Sequence, residues 1–153
     1  MRLALDANLA LLLVIGLHSE KLIERHKRLA FTNADFRLLK RLIEKASGIQ
    51  LTPNALTEVS NIAGFGLSSS DKSAVTAKLA QLIPNWDEDY VPSKNVVQQK
   101  EFAWLGLSDT AWLCVLDEGM HLLTVDHDLH VAALRRGLGA TNFNHLREQN
   151  GTI

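Results

Sequence analysis

Four carboxylates occupy positions where an acid is costly and chemistry is available. Asp6 ends "LALD", Glu58 lies in "LTEVSN", Asp109 follows "LGLS", and Asp126 follows "LLTV". The segments around Asp6, Asp109 and Asp126 are apolar, and a lone carboxylate beside a core is expensive unless it is paired or binds metal. Three or four brought together repel and raise one another's pKa values. A hard divalent ion relieves both problems. Mg²⁺ or Mn²⁺ prefers carboxylate oxygens, keeps part of its water shell and shares phosphate oxygens with a substrate. One or two such ions can orient and polarise a phosphodiester and activate a water. Taken singly, an Asp at a strand end or helix start also serves as a cap or turn residue, so spacing alone leaves that alternative open.

The elements that must position these acids follow from periodicity and punctuation. Residues 2–6 read as a short buried strand with Asp6 at its tip, and 8–16 as a helix. A basic amphipathic segment covers about 19–30. "TNADFRLLKRLIEKASG" carries a cap at Thr32 or Asn33, apolar residues at helical spacing, and a stop at Gly48. "IQLT" is a strand, and Pro53 suits the first turn of the next helix, which carries Glu58. A serine caps "DKSAVTAKLAQLI", which Pro84 ends, and "NWDEDYVPS" reads as loop. "SKNVVQQKEFAWLGL" is read as a helix. Ser108 then caps a further helix that Asp109 opens and Gly119 ends. "HLLTV" is a strand ending at Asp126, "DHDLHVAALRRG" a helix, and "ATNFN" a last strand.

Short strands separated by helices imply a mostly parallel, helix-covered sheet. In such a sheet strand C-termini and helix N-termini share one edge, where Asp6, Asp109 and Asp126 can converge and Glu58 can reach in. No repeat, low-complexity tract or linker interrupts residues 1–153, which are read as one domain.

Composition narrows the class. With 46% hydrophobic and 22% charged residues the chain should fold. Cys114 is the one cysteine, so no disulfide framework or cysteine-based zinc site is available, in keeping with a reducing cytoplasm. The apolar run Leu9–Leu17 is too short to span a bilayer, and Asp6 and "HSEKLIERHKR" do not suit a secretory signal. No membrane association is expected. The net charge of −1 hides an asymmetry: residues 1–50 hold 9 Lys and Arg against 5 Asp and Glu, leaving 7 and 12 of the totals to the rest. Those basic stretches suit either the solvated faces of helices or a rim for a phosphate backbone.

The four acidic stretches, in this order and across nearly the whole chain, resemble the PIN-domain family of metal-dependent ribonucleases, in particular its small VapC-like toxins. The resemblance implies a three-layer α/β sandwich, with a mostly parallel central sheet between helices. It also implies a pocket in which Asp6, Glu58, Asp109 and Asp126 hold one or two Mg²⁺ or Mn²⁺ ions. The implied activity is endoribonucleolytic hydrolysis of RNA, with 5′-phosphate and 3′-hydroxyl products. A cognate antitoxin and a homodimer are implied as partners. Asn8 stands where a polar neighbour of the first aspartate is usual, and Asp128 is a candidate supporting acid. Position 7 is Ala, where the family usually carries a hydroxyl, so a group that could orient Asp6 is missing there.

Other residues admit other readings. His121, His127 and His130 could suggest a zinc or nickel site, but no further His/Cys set completes a shell. Trp104 and Trp112 lie in apolar helical patterns and read as core or dimer interface, in the 93–118 region; Trp86 reads as exposed. Leu9–Leu17 offers apolar surface either for core or for an antitoxin helix. The alternatives to a toxin nuclease are a catalytically inactive PIN-like module binding RNA or protein, and a non-toxin RNA-processing nuclease.

Overall fold

In the computed structural model, which describes residues 1–153, there are five strands: β1 (Arg2–Leu5), β2 (Gly48–Leu51), β3 (Asp87–Glu88), β4 (Met120–Thr124) and β5 (Ala140–Asn142). All pair in parallel, in the order β3-β2-β1-β4-β5. The chain therefore winds outward from β1 in one direction, then returns to its other side for β4. Right-handed crossovers in opposite directions place helices on opposite faces, giving a three-layer α/β sandwich. Helices α1 (Ala7–His18), α2 (Asn33–Glu44), α3 (Pro53–Ile62) and α4 (Ser69–Leu82) accompany the first direction. Helices α5 (Ser93–Val96), α6 (Phe102–Val115) and α7 (His127–Arg135) accompany the second, and α8 (Phe143–Gln149) follows β5. No helix is long and apolar enough to cross a membrane.

α1 is buried from Leu9 through Gly16, so it is a core helix. Most of the apolar run is therefore core, and Leu17 at its end is exposed. Gly16 is required by close approach, because a Cβ there would lie 2.2 Å from the Phe36 ring of α2. The basic stretch after α1 is not an amphipathic helix. It contains one 3₁₀ turn, Glu20–Leu22, and otherwise runs irregularly. His26 anchors it: buried Nε2–H donates to the carbonyls of Ile62 (2.8 Å) and Ala63 (3.2 Å) at the end of α3, while Nδ1 accepts from Arg28 N. Further on, Asp35 of α2 and Arg147 of α8 form a buried bidentate pair at 2.9 and 3.0 Å. Burial works against ionised Asp35, yet the Arg147 and Thr32 hydrogen bonds hold its pKa below the usual value.

Three other boundaries differ from the sequence reading. "NWDEDYVPS" contains the two-residue strand β3, whose exposed acids disguised it, and Trp86 is half-buried against the core. Asn142 ends β5 and at once caps α8 by accepting from Asn144 N, so the last helix starts inside the expected strand. The helix expected over 93–107 divides into α5 and the start of α6, and α6 is broken at Gly106 rather than capped at Ser108.

At φ 80° and ψ −177°, Gly106 occupies backbone space that is nearly closed to residues with a Cβ. No atom would obstruct an added Cβ, so Gly106→Ala tests conformation alone. It should cost about 1–3 kcal/mol, lowering the thermal midpoint by roughly 2–4 °C per kcal/mol. An unchanged melting curve by circular dichroism would mean that the break tolerates a side chain.

Candidate active site

The strand order reverses between β1 and β4, and the crevice at the C-terminal edge of such a switch point is where open α/β sheets place ligands. Asp6 and Asp126 end these two neighbouring strands. Leu5 pairs with Leu123, and Asp6 N continues the ladder to Leu123 O at 3.2 Å.

Asp6 is 5% exposed and accepts three hydrogen bonds. Its Oδ1 accepts Leu9 N at 2.9 Å and caps α1. Its Oδ2 accepts the Thr124 hydroxyl at 2.6 Å and Val125 N at 2.7 Å. Burial nevertheless pushes its pKa up, helped by the charge of Asp126, while those three hydrogen bonds oppose the shift. Asp126 caps α7 in the same manner, Oδ1 accepting Leu129 N at 2.8 Å.

Thr124 is the functional residue that the sequence reading missed. Its hydroxyl donates to Asp6 and accepts from Asp126 N at 3.0 Å, tying the two acids together. A hydroxyl absent at Ala7 is thus present from β4. The available signal was a threonine two residues before an acid at the end of an apolar strand. Thr124→Val, nearly isosteric, should cost roughly 1–3 kcal/mol by stranding these groups, and Thr124→Ser should recover most of it. Urea unfolding that ranks Val equal to Ser would remove this role.

Asp109 lies in the first turn of the helical segment of α6 that begins after the break at Gly106, so it does sit at a helix start, although Gly106 rather than a Ser108 cap sets that start. It is half-buried, and its pKa is raised to about 7. Burial is the largest cause, followed by the charges of Asp126, Asp6 and Glu58. Glu58 sits on an exposed turn of α3, which Thr52 caps through Ala55 N. All four sequence-predicted acids therefore share one electrostatic neighbourhood. They are not gathered into a ready-made cage: no group of three or more His, Cys, Asp or Glu side chains is placed to hold a metal ion. The histidines do not complete one either; His121 hydrogen-bonds Thr141 Oγ1 at 2.7 Å and His130 stacks edge-on with His145.

Three clefts surround the acids. Glu58 lines one of about 500 Å³ with Tyr90 at its lip. Asn8 lines another of about 240 Å³, with Arg28, Val125 and Arg147. Asp128 lines a third of about 350 Å³, with Lys100, Trp104 and Arg135. The expected basic rim is thus only partly at this edge. Arg28 reaches it, whereas α2 runs toward the start of β2, at the opposite edge beside Arg2, and carries its later cations away.

No family model matches this chain, and no curated protein matches it. Among solved structures it is similar to a domain of a functionally unknown protein from Methanocaldococcus jannaschii DSM 2661, at 18% identity and a TM-score of 0.46, over 92% of this chain and 89% of that one.

Proposed function

We propose that this chain is a metal-dependent endoribonuclease of the PIN type, hydrolysing RNA phosphodiester bonds at the crevice between β1 and β4. The observation that carries the reading is the mutual action of the four acids, in which Asp6, Glu58 and Asp126 all raise Asp109. Such a cluster repels a polyanion unless a cation is bound with it. The donor set is all oxygen and suits Mg²⁺ or Mn²⁺, with Asp6, Glu58, Asp109 and Asp126 as the holding residues. One or two such ions would supply polarisation of a phosphoryl oxygen and a water of lowered pKa. The chain's own residues do the rest. Asp6 is the fixed anchor, since three donors prevent it from turning. Asp126 is held through one oxygen by its cap bond. Asp109, with a pKa near 7, can hold or release a proton at its carboxyl close to neutrality. Exposed Glu58 is free to adjust as RNA arrives.

The test is incubation of purified protein with mixed single-stranded RNA in EDTA, Mg²⁺ and Mn²⁺. Cleavage restricted to the metal-containing reactions, with 5′-phosphate ends, is the expected result. Equal cleavage in EDTA would contradict the metal dependence, and no cleavage in any reaction would contradict the reading and favour a binding module.

A toxin role follows on the same footing. A cognate inhibitor protein would cover the acids, with an Arg or Lys meeting their charge. Expression in a bacterial host should slow growth, and expression of Asp6→Asn at the same level should not. Equal growth would leave a non-toxin RNA-processing nuclease.

A further inference from the structure

Trp104 does not belong to the core. It is 56% exposed, whereas Trp112 on the same helix is 1% exposed and fully internal. The break at Gly106 lies between them and gives the first turn of α6 a different course from the rest. The exposed indole lines the 350 Å³ cleft that begins at His127 and Asp128, directly after Asp126.

The charges in this cleft are unevenly committed. Arg136 is engaged by the buried Glu101 carboxylate and by Gln99 Oε1 at 2.8 Å, which fixes one wall. Lys100 and Arg135 also line the cleft and pair with no carboxylate. Two free cations and an open indole face are the elements of a single-strand nucleic-acid site, where cations track the backbone and an aromatic ring stacks a base. Asp128 adds a negative charge on the side next to Asp126, so a phosphate is favoured at the Lys100 and Arg135 end.

We propose that this cleft is a subsite for one unpaired nucleotide of single-stranded RNA, its base stacked on Trp104 and its phosphate held by Lys100 and Arg135. The inference rests on the nuclease reading for its purpose, because one end of the cleft is formed by His127 and Asp128, the two residues that follow Asp126. Its physical content can stand or fall separately. A base stacked on tryptophan tolerates any sequence, so the subsite adds affinity and strand positioning rather than sequence choice.

The experiment is binding of a fluorescein-labelled mixed-sequence RNA 8-mer to the full chain by anisotropy, with Ca²⁺ present as an oxygen-bound cation to offset the acids and RNA integrity checked on a gel. Trp104→Ala should weaken binding roughly ten-fold, and Trp104→Phe should restore most of it. Lys100→Ala with Arg135→Ala should reduce the slope of log affinity against log salt by about 0.7, the value for one lost phosphate contact on a single strand. With unlabelled RNA, tryptophan emission should be quenched on binding, and Trp104→Phe should remove that quenching. Thermal melts check that each surface variant folds. Affinity unchanged by Trp104→Ala, or an unaltered salt slope in the double variant, would overturn the subsite. So would sedimentation showing a dimer with Trp104 shielded from acrylamide. RNA cleaved with metal but bound independently of Trp104 would sink the subsite alone. RNA bound through Trp104 but never cleaved would sink the nuclease reading alone.

Discussion

Replacing Asp6 with Asn should abolish RNA cleavage, with a loss on the order of 10³-fold or more, while leaving a folded protein. Several kcal/mol of transition-state stabilisation depend on the bound cation, and about 4 kcal/mol corresponds to that factor. Asp6 is the most rigid of the four acids, so no neighbour can take its place. Stability should move much less, because two effects oppose. An Asn amide pointed at Thr124 and Val125 with its oxygen must face Leu9 N with its NH₂ group, stranding that donor at about 1–3 kcal/mol. Against this, a charge disfavoured by burial is removed. Thermal melts and a single-turnover cleavage assay on the same preparations separate the two. A folded Asn variant that cleaves at the wild-type rate would exclude Asp6 from the reaction.

Asp109 sets the second large effect, which is on stability. Its folded-state pKa is about 7 against an ordinary value of 3.8. Between those values the folded chain keeps a proton that the unfolded chain has lost. Stability therefore falls as pH rises from about 4 to 7, then levels off. A shift of this size is worth about 4 kcal/mol for a fully buried group, and solvent screening of a half-buried one brings it to about 2–4 kcal/mol. Asp6 titrates in the same direction, so wild type alone does not isolate Asp109. The difference between wild type and Asp109→Asn does. In urea unfolding without metal, the Asn variant should match wild type near pH 4 and exceed it by about 2–4 kcal/mol at pH 8. Added Mg²⁺ should narrow that gap by stabilising wild type. Curves that stay parallel from pH 4 to 8 would mean that Asp109 carries no unfavourable charge in the folded state.

How far the sequence reveals this site depends on how local each feature is. Asp6 and Asp126 were legible because each ends a run of apolar strand residues, a pattern contained in five or six positions. Pro53 and the serines before α4 marked helix starts for equally local reasons, whereas Thr52, the cap of α3, was read as part of the strand before it. Thr124 was not legible as a partner of Asp6. The two are 118 residues apart, and the contact exists only because β4 pairs with β1, a lateral order that periodicity does not determine. The Asp35–Arg147 pair, 112 residues apart, escaped for the same reason. Asp109 was legible as lying near a helix start, but the device was not: the break depends on a positive φ at Gly106, while Ser108 offered a conventional cap. Trp104 shares an apolar pattern with Trp112, and the change of course at Gly106 is what exposes one and buries the other.

The central claim is that Asp6, Glu58, Asp109 and Asp126 jointly hold a divalent cation. Titration calorimetry with Mn²⁺, run in buffers of different ionisation enthalpy, tests it most directly because it counts protons along with ions. Ligand carboxylates must be ionised, so binding to a site containing a protonated acid releases that proton. With Asp109 near 7 and Asp6 also raised by burial, Mn²⁺ should bind wild type with release of at least about one proton at pH 6 and fewer at pH 8.5. Asp109→Asn should release about one proton fewer than wild type at pH 6, and Asp6→Asn should bind at least about ten-fold more weakly. Mn²⁺ binding that is absent, or equally tight in both variants and without proton release at pH 6, would contradict the account.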